Sequence, residues 1–273
     1  MTFSLRPVSG LAFAAVALLL PVTAALSAEP IRCTVMLDAA SGDVLRRDGT
    51  CDEAVYPMST FKVPLAVMGY DAGVLVDEKT PRWDYQTKWN RPERERKSVD
   101  PTIWEKDSIV WYSQEIARRL GSDKFADYVL RLGYGNADVS GGPDGADGLT
   151  QSWLMSSLKI TPEEQADFIF RLLNGDLPVS AEAAAKTQAI LPRFEAGDGW
   201  MVHGKTGSGW MRDETGKVDR TRPIGWFVGW AEKDARKIVF ARLFVDNKTH
   251  SSPISFETRD SLIADLPELA KGS

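Results

Sequence analysis

The amino-acid sequence predicts a mixed α+β fold, in which an antiparallel sheet built from both chain ends is flanked by helices and carries an inserted all-helical lobe. Alternating apolar residues indicate strands within residues 29–57 and again within residues 195–273. The apolar spacing changes to a helical period across residues 58–194, which places the helical lobe in the middle of the chain. No internal repeat or linker divides the sequence, so residues 29–273 are expected to form a single domain with two lobes.

The first strands are predicted to form a hairpin that carries both cysteines of the chain. Ile31–Leu37 and Asp43–Leu45 are expected to be strands, with the turn near Gly42. In an oxidising compartment Cys33 and Cys51 are expected to be bonded, and neither histidine lies at metal-ligand spacing from them. Such a bridge would stabilise the fold by about 3 kcal/mol in the loop-entropy model.

Helix signals follow through the middle of the chain. After Pro57 the apolar residues take a helical spacing, which places Ser59 in the first turn of a helix. Thr161–Glu164 forms a capping box with proline at the first helical position, and it predicts a helix that runs to Leu173. The other helices of this region are predicted at Ser108–Leu120, at Ser122–Leu132 with Ser122 as N-cap, and in an alanine-rich stretch capped by Ser180.

Three strands are predicted late in the sequence. They are Trp200–Val202 continuing into Lys-Thr-Gly, Gly225–Trp230, and Ile238–Val245. The segment Ser208–Pro223 is polar and rich in turn residues, which predicts a hairpin loop. A terminal helix is expected from Pro253 to Leu269. Strands from both ends must then share one sheet, with the helical middle packed against one edge.

The first 28 residues are typical of a secretory signal peptide. Arg6 gives a basic start, and the apolar stretch Leu11–Leu20 is too short to span a bilayer. Cleavage is expected after Ser27 or after Ala28. The alternative is an uncleaved membrane anchor, which Pro21 disfavours because it interrupts the apolar run. We expect secretion across the inner membrane into the periplasm, with no membrane span in the mature chain.

Charge argues against a nucleic-acid partner. The net charge is -5, and no basic stripe offers a footprint for phosphates. The mixed run at residues 91–97, RPERERK, is expected to be a solvated surface segment.

A serine and a lysine three residues apart provide the strongest chemical signal. Ser59 and Lys62 would share one face of a helix, so that the amine reaches the hydroxyl and activates it as a nucleophile. The spacing alone is weak, because Ser156 and Lys159 repeat it by chance. The Lys-Thr-Gly sequence at 205–207 distinguishes the first pair, since this motif accompanies Ser-x-x-Lys in penicillin-recognising enzymes.

Lys62 must be neutral to act as a base. A lysine with the ordinary pKa is only about 0.1% neutral at pH 7.4. Phe61, Val63, Val110 and Trp153 are expected to supply the apolar surroundings that lower the pKa of Lys62.

Six motifs stand in one order along the chain. They are PMSTFK at 57–62, Ser108–Val110, Tyr134–Asn136, Trp153–Leu154, Lys205–Gly207 and GWFVGW at 225–230. Together they resemble the class D serine β-lactamases, the oxacillinases. The likeness covers essentially the whole mature chain, and it implies the serine β-lactamase and transpeptidase fold with residues 29–273 as the catalytic domain.

The resemblance implies a role for each reacting group. Ser59 attacks the lactam carbonyl, and the backbone N–H groups of Ser59 and Ser208 bind the oxyanion. Ser108 relays a proton to the lactam nitrogen. Lys62 carries carbon dioxide as N6-carboxylysine, and the Trp153 indole N–H donates to that carbamate. The apolar Val110 keeps water from the lysine.

The resemblance also implies how the substrate carboxylate is held. Lys205 offers an ammonium to it and Thr206 a hydroxyl. Gly207 is expected to belong to the same substrate-binding residues, and Lys205 is also expected to be catalytic. Arg259 matches the arginine that binds the carboxylate in this family. Tyr134–Asn136 is assigned a structural role in a turn.

The expected protein is therefore an exported hydrolase of small-molecule β-lactams that confers resistance to them. No metal or organic cofactor is implied, because carbon dioxide is taken into Lys62. Three alternatives stay open: a penicillin-sensing receptor domain, which acylates without turnover; a penicillin-binding transpeptidase; and an inactive structural homologue. The sequence reveals neither the antibiotic spectrum, nor inhibitor sensitivity, nor the oligomeric state.

Overall fold

The computed structural model describes residues 1–4, 28–142 and 144–271, and in this part of the chain one sheet lies between two helical layers. Most of the predicted signal peptide falls on residues 5–27, outside the described residues, so it stays a prediction. Among the described residues, no helix has the length and apolar character that a membrane crossing needs.

The sheet has six strands in the order β2-β1-β6-β5-β4-β3, and each neighbouring pair is antiparallel. The strands are β1 (Ile31–Asp38), β2 (Val44–Gly49), β3 (Arg193–Glu195), β4 (Met201–Arg212), β5 (Val218–Lys233) and β6 (Arg236–Val245). The first two strands lie beside the last one, so both ends of the sequence share the sheet. The predicted fold class is confirmed.

Helices fill the middle of the chain and its end. In the described residues they are α1 (Lys62–Asp71), α2 (Pro101–Asp107), α3 (Val110–Leu120), α4 (Ser122–Arg131), α5 (Gly148–Gln151), α6 (Pro162–Asn174), α7 (Ala181–Ile190) and α8 (Ile254–Leu269). The capping box predicted at Thr161 and Glu164 is present at the start of α6. Ser180 caps α7 by accepting from the N–H of Ala183, as predicted.

The two faces of the sheet carry separate apolar clusters, because successive residues of a strand point to opposite faces. On β5, Phe227 belongs to the cluster under α8, which includes Leu262 and Leu266. Its neighbours Trp226 and Val228 belong to the larger cluster shared with the helical lobe. The lobe therefore packs on a face of the sheet, mainly through α6, and the predicted packing against an edge is wrong.

The hairpin and the disulfide are confirmed. Cys33 of β1 is bonded to Cys51, which follows β2. The turn between the strands is closed by backbone hydrogen bonds from Gly42 to Asp38 and from Asp38 to Asp43, each 2.9 Å long.

Two predicted helix starts are wrong. Ser108 does not begin a helix: it has φ 55° and ψ 46°, ends α2, and is followed by Ile109 as the N-cap of α3. Ser122 is not an N-cap, because Gly121 holds that position with φ 79° and Ser122 is the first helical residue. In both cases the residue at the boundary, Ser108 or Gly121, has a positive φ, a conformation that interrupts the helix.

The predicted loop Ser208–Pro223 is mostly strand. β4 continues to Arg212, β5 starts at Val218, and only the five residues between them form the turn. The Asp213 carboxylate closes that turn by accepting from the N–H groups of Thr215 and Lys217. The strand ends are largely half-buried here, with no alternation of buried and exposed residues to mark them in the sequence.

The charge run at residues 91–97 is only partly solvated, which corrects the prediction for it. Glu95 is fully buried and accepts two hydrogen bonds from Arg91, each 3.1 Å long. It also pairs with Arg94 and accepts from the backbone N–H of Val110, at the first turn of α3. The run thus anchors the start of α3.

Candidate active site

Ser59 and Lys62 meet where the helical lobe faces β4. Ser59 lies in a single 3-10 turn, Met58–Phe61, and Lys62 is the first residue of α1. The Lys62 Nζ lies 3.5 Å from the Ser59 Oγ, at hydrogen-bond reach. The spacing of three residues therefore brings the amine to the hydroxyl, as the sequence predicts.

The Lys62 amine is held in a dry region. Its side chain is 1% exposed, and burial lowers its pKa to about 7, with the positive charge of Lys205 as the second cause. Phe61 and Val63, both buried, flank it in the chain, and the Trp153 ring stacks on Phe61 with centroids 5.0 Å apart. The expected apolar surroundings are present.

Hydrogen bonds from distant elements fix the turn that carries Ser59. The Thr60 hydroxyl donates to the carbonyl of Pro57 and accepts from Gln165 of α6, both at 2.7 Å. Gln165 in turn accepts from the Tyr134 hydroxyl at 3.2 Å. Trp226 of β5 donates its indole N–H to the carbonyl of Tyr56. The tyrosine of Tyr134–Asn136 therefore supports the site from behind, which matches its structural assignment.

Gly207 allows β4 to approach this turn closely. A Cβ at this position would lie 2.8 Å from the carbonyl oxygen of Pro57, closer than a carbon can come to backbone. A side chain here would push β4 away from Ser59. The glycine of the Lys-Thr-Gly motif thus sets the separation of the two catalytic segments.

Lys205 and Ser108 complete the polar cluster. The Lys205 Nζ donates to the Ser108 Oγ at 3.1 Å and to the carbonyl of Thr206 at 3.2 Å. Lys205 is buried, which lowers its pKa to about 8. The left-handed backbone of Ser108 aims its hydroxyl at this amine, so residues 97 positions apart form one unit.

The surroundings of Lys62 fit a carbamate. The amine is buried and its lowered pKa favours the neutral form that adds carbon dioxide. Trp153 is 1% exposed, and its ring stacks on Phe61, the residue that precedes Lys62. Val110 is half-buried at the first position of α3 and offers no polar side-chain atom. An indole N–H donor in an apolar wall is what a buried anion requires.

Sequence reasoning missed the contact between β4 and α8. The Ser208 hydroxyl is hydrogen-bonded to the hydroxyl of Ser255, a buried residue in the first turn of α8. Arg259 lies one turn further along, where its Nε donates to Asp260 at 2.7 Å and its guanidinium covers Phe194 and Phe256. Among the described residues, Arg259 forms no hydrogen bond or ion pair with residues 205–208. The predicted role of Arg259 in binding the substrate carboxylate therefore stays a prediction.

A cavity of about 340 Å³ opens beside Ser208, between β4 and the residues that lead into α8. It is lined by Ser208–Trp210, Arg220, Pro223, Ile224 and residues 249–254. Part of this wall belongs to Ser208–Pro223, the segment predicted to be a hairpin loop.

The second Ser-x-x-Lys match does not form a reactive pair. Ser156 is buried and its hydroxyl has no partner in the described part of the chain, while the Lys159 amine lies over the ring of Tyr56. A further buried group, Glu105 of α2, was not foreseen. Burial raises the pKa of Glu105 to about 7, and Lys205 and Lys62 oppose that rise.

Comparisons with known proteins agree with this geometry. Residues 32–263 match the family model described as the penicillin binding protein transpeptidase domain. The chain is 46% identical over 254 residues to β-lactamase OXA-9 of Klebsiella pneumoniae, covering 92% of this chain and 93% of that protein. It is 33% identical to β-lactamase OXA-1 of Escherichia coli, covering 87% and 84% respectively. The solved structure of OXA-427, a class D β-lactamase, superposes with a TM-score of 0.81 at 42% identity, over 88% of this chain and 98% of that one.

Proposed function

Because the chain belongs to the class D β-lactamases, hydrolases of β-lactams that confer resistance, we propose that it opens the lactam ring through an acyl intermediate on Ser59. The observation that carries this proposal is the 3.5 Å approach of the buried Lys62 amine to the Ser59 hydroxyl. Lys62, in the carboxylated form proposed below, is the general base that takes the serine proton while Oγ attacks the lactam carbonyl.

The oxyanion that forms on the carbonyl is bound by the backbone N–H groups of Ser59 and Ser208. Losing one such donor typically costs ~2.7–4 kcal/mol of barrier. The close packing of β4 on the Ser59 turn, which Gly207 permits, supports this arrangement because it brings the two segments together.

Ser108 and Lys205 act on the leaving side of the ring. The Ser108 hydroxyl delivers a proton to the lactam nitrogen, and Lys205, which donates to that hydroxyl, orients it. Lys205 and Thr206 also bind the substrate carboxylate. The carboxylate-binding role of Arg259 stays a prediction, and it requires the guanidinium to leave Asp260.

We also propose that Lys62 is N-carboxylated in the working enzyme. Carbon dioxide held there supplies a carboxylate-type general base, which takes the serine proton during acylation and then activates water for hydrolysis of the acyl-serine. Trp153 provides the indole N–H that anchors the modification, and Phe61 and Val110 exclude water from it. No metal or organic cofactor enters the proposal.

The place of action is proposed from the sequence. A basic start, a short apolar stretch and small residues at 25–28 support secretion across the inner membrane to the periplasm. The substrates proposed are small-molecule β-lactams, with no nucleic-acid partner.

Covalent labelling tests the nucleophile. The purified protein should hydrolyse benzylpenicillin, and mass spectrometry should detect an acyl adduct on Ser59. Ser59→Ala should lose both the hydrolysis and the adduct. The matched control is Ser156→Ala, which alters the other Ser-x-x-Lys serine and should keep both. Labelling that persists in Ser59→Ala would refute the assignment.

A further inference from the structure

Glu105 is a buried acid beside the site that the proposed mechanism leaves unused. Its side chain is 0% exposed, and neither carboxyl oxygen has a hydrogen-bond partner among the described residues. α2 places it three residues before Ser108. The contrast is Glu95, which is equally buried but is bound by Arg91, Arg94 and a backbone N–H.

The charges that act on Glu105 belong to the two reactive lysines. Lys205 of β4 and Lys62 of α1 both favour the ionised form of the Glu105 carboxyl. Tyr70 of α1 also faces this charge, and burial raises its pKa further, so it stays a neutral phenol. Other ionisable groups on α2 and on the elements packed around it have partners of their own: Tyr112 donates to the carbonyl of Pro81, Asp107 pairs with Lys97, Glu115 with Arg118 and Arg119, Glu182 with Lys186, and Asp100 with Arg82.

A buried carboxyl without partners is costly as an anion and far less so when protonated. Burial raises the pKa of Glu105 to about 7, so a small change in its surroundings decides which form is present. A new negative charge nearby favours the protonated form, because like charges repel strongly in a dry region.

Carboxylation of Lys62 introduces such a charge. The amine nitrogen forms a bond to the carbon of carbon dioxide, one C–O double bond becomes a single bond to a negative oxygen, and the nitrogen releases one proton. That proton needs an acceptor, since the 1% exposed amine has little access to solvent. The carboxylate of Glu105 is a buried base on the helix that ends at Ser108, whose hydroxyl is the partner of Lys205, and its charge acts on both lysines.

We propose that Glu105 takes up the proton that Lys62 releases when it binds carbon dioxide, and returns it when carbon dioxide leaves. Before the reaction the cluster holds Glu105 as an anion, Lys205 as a cation and Lys62 as a neutral amine. Afterwards the carbamate is the anion, Lys205 is the cation and Glu105 is neutral. The net buried charge is unchanged. Glu105 acts as an acceptor for the proton and does not touch the substrate. This inference rests on the carboxylation of Lys62 proposed above.

Two spectroscopic readouts on the full-length protein test the exchange. Degassed protein receives ¹³C-labelled bicarbonate at slightly alkaline pH, and ¹³C NMR detects the carbamate. Infrared difference spectra, with bicarbonate minus without, detect the carbonyl stretch of any carboxylic acid that gains a proton. Wild-type protein should show the carbamate signal together with a new acid band.

Variants assign the band. Glu105→Gln should lose the acid band, and Glu105→Asp should restore it at a shifted frequency. The control Glu182→Gln, at an exposed carboxylate of α7, should keep it. Lys62→Ala should lose both signals. A wild-type carbamate without an acid band, or a band that survives in Glu105→Gln, would overturn the role of Glu105 alone. Absence of the carbamate from the wild-type protein would overturn both this role and the carboxylation of Lys62.

Discussion

Replacing Trp153 by phenylalanine isolates the contribution of one hydrogen-bond donor. The substitution removes the indole N–H but keeps an aromatic ring that can stack on Phe61, as Trp153 does at 5.0 Å. We expect the variant to fold, to bind carbon dioxide more weakly, and to lose more of its deacylation rate than of its acylation rate.

The size of the effect follows from the burial of the site. A hydrogen bond to a charged group contributes about 1.5–3 kcal/mol, and Trp153 is 1% exposed, so water does not replace the lost donor. The affinity for carbon dioxide should therefore fall about 10- to 150-fold. The smaller ring removes roughly 40 Å³ from the core, which should lower the free energy of unfolding by about 1 kcal/mol.

The assay measures hydrolysis of benzylpenicillin by degassed enzyme at increasing bicarbonate. Trp153→Phe should need about 10- to 150-fold more bicarbonate for half-maximal rate, and the acyl-Ser59 adduct should accumulate until bicarbonate is added. The control is Trp200→Phe, which removes a buried indole from the cluster under α8 on the other face of the sheet. An unchanged bicarbonate requirement in Trp153→Phe would show that the indole N–H does not anchor the carbamate.

Two further predictions concern pH and the disulfide. Because the pKa of Lys62 is lowered to about 7, its amine is protonated below that pH and cannot bind carbon dioxide. Hydrolysis should therefore fall as the pH drops through 7, and bicarbonate should cease to restore it. A fall near the ordinary lysine pKa would contradict the assignment. Replacing Cys33 and Cys51 by serine should lower the free energy of unfolding by about 3 kcal/mol in urea titrations. The hydrolysis rate of the folded double variant should be unchanged, since the bridge lies on the outer hairpin, and a large loss of rate would contradict a purely structural role.

Short sequence motifs predicted correctly those features whose interacting residues lie within one turn of the chain. The capping box at Thr161 and Glu164 starts α6 as expected, because both partners of its hydrogen bonds lie within one turn. The same holds for Ser59 and Lys62, whose contact follows from helical spacing alone. Asp100 and Pro101 carried an equally local signal for α2, an N-cap followed by proline, which the sequence analysis overlooked.

Features that depend on tertiary contacts were not predictable in this way. No pattern in the sequence reveals that Ser108 adopts a left-handed backbone conformation, because serine is usually found at ordinary helix caps. The position of Ser108 between two helices causes this conformation. Two partners of Glu95, Arg91 and Arg94, come from its own segment, but its burial comes from packing against α3. Ser255 and Glu105 have polar side chains on helices, where exposure is the usual outcome, and only the folded chain shows that both are buried.

One physical cause, the removal of water where the helical lobe meets the sheet, acts on all three ionisable groups of the site. Burial is the main cause that lowers the pKa of Lys62 to about 7 and that of Lys205 to about 8, and it is also the main cause that raises the pKa of Glu105 to about 7. An amine and an acid that differ widely in water thereby hold their protons with similar affinity, so a proton passes between them at little cost. A substitution that admits water here, such as a side chain at Gly207 that separates β4 from the Ser59 turn, should therefore return all three groups towards their ordinary pKa values together.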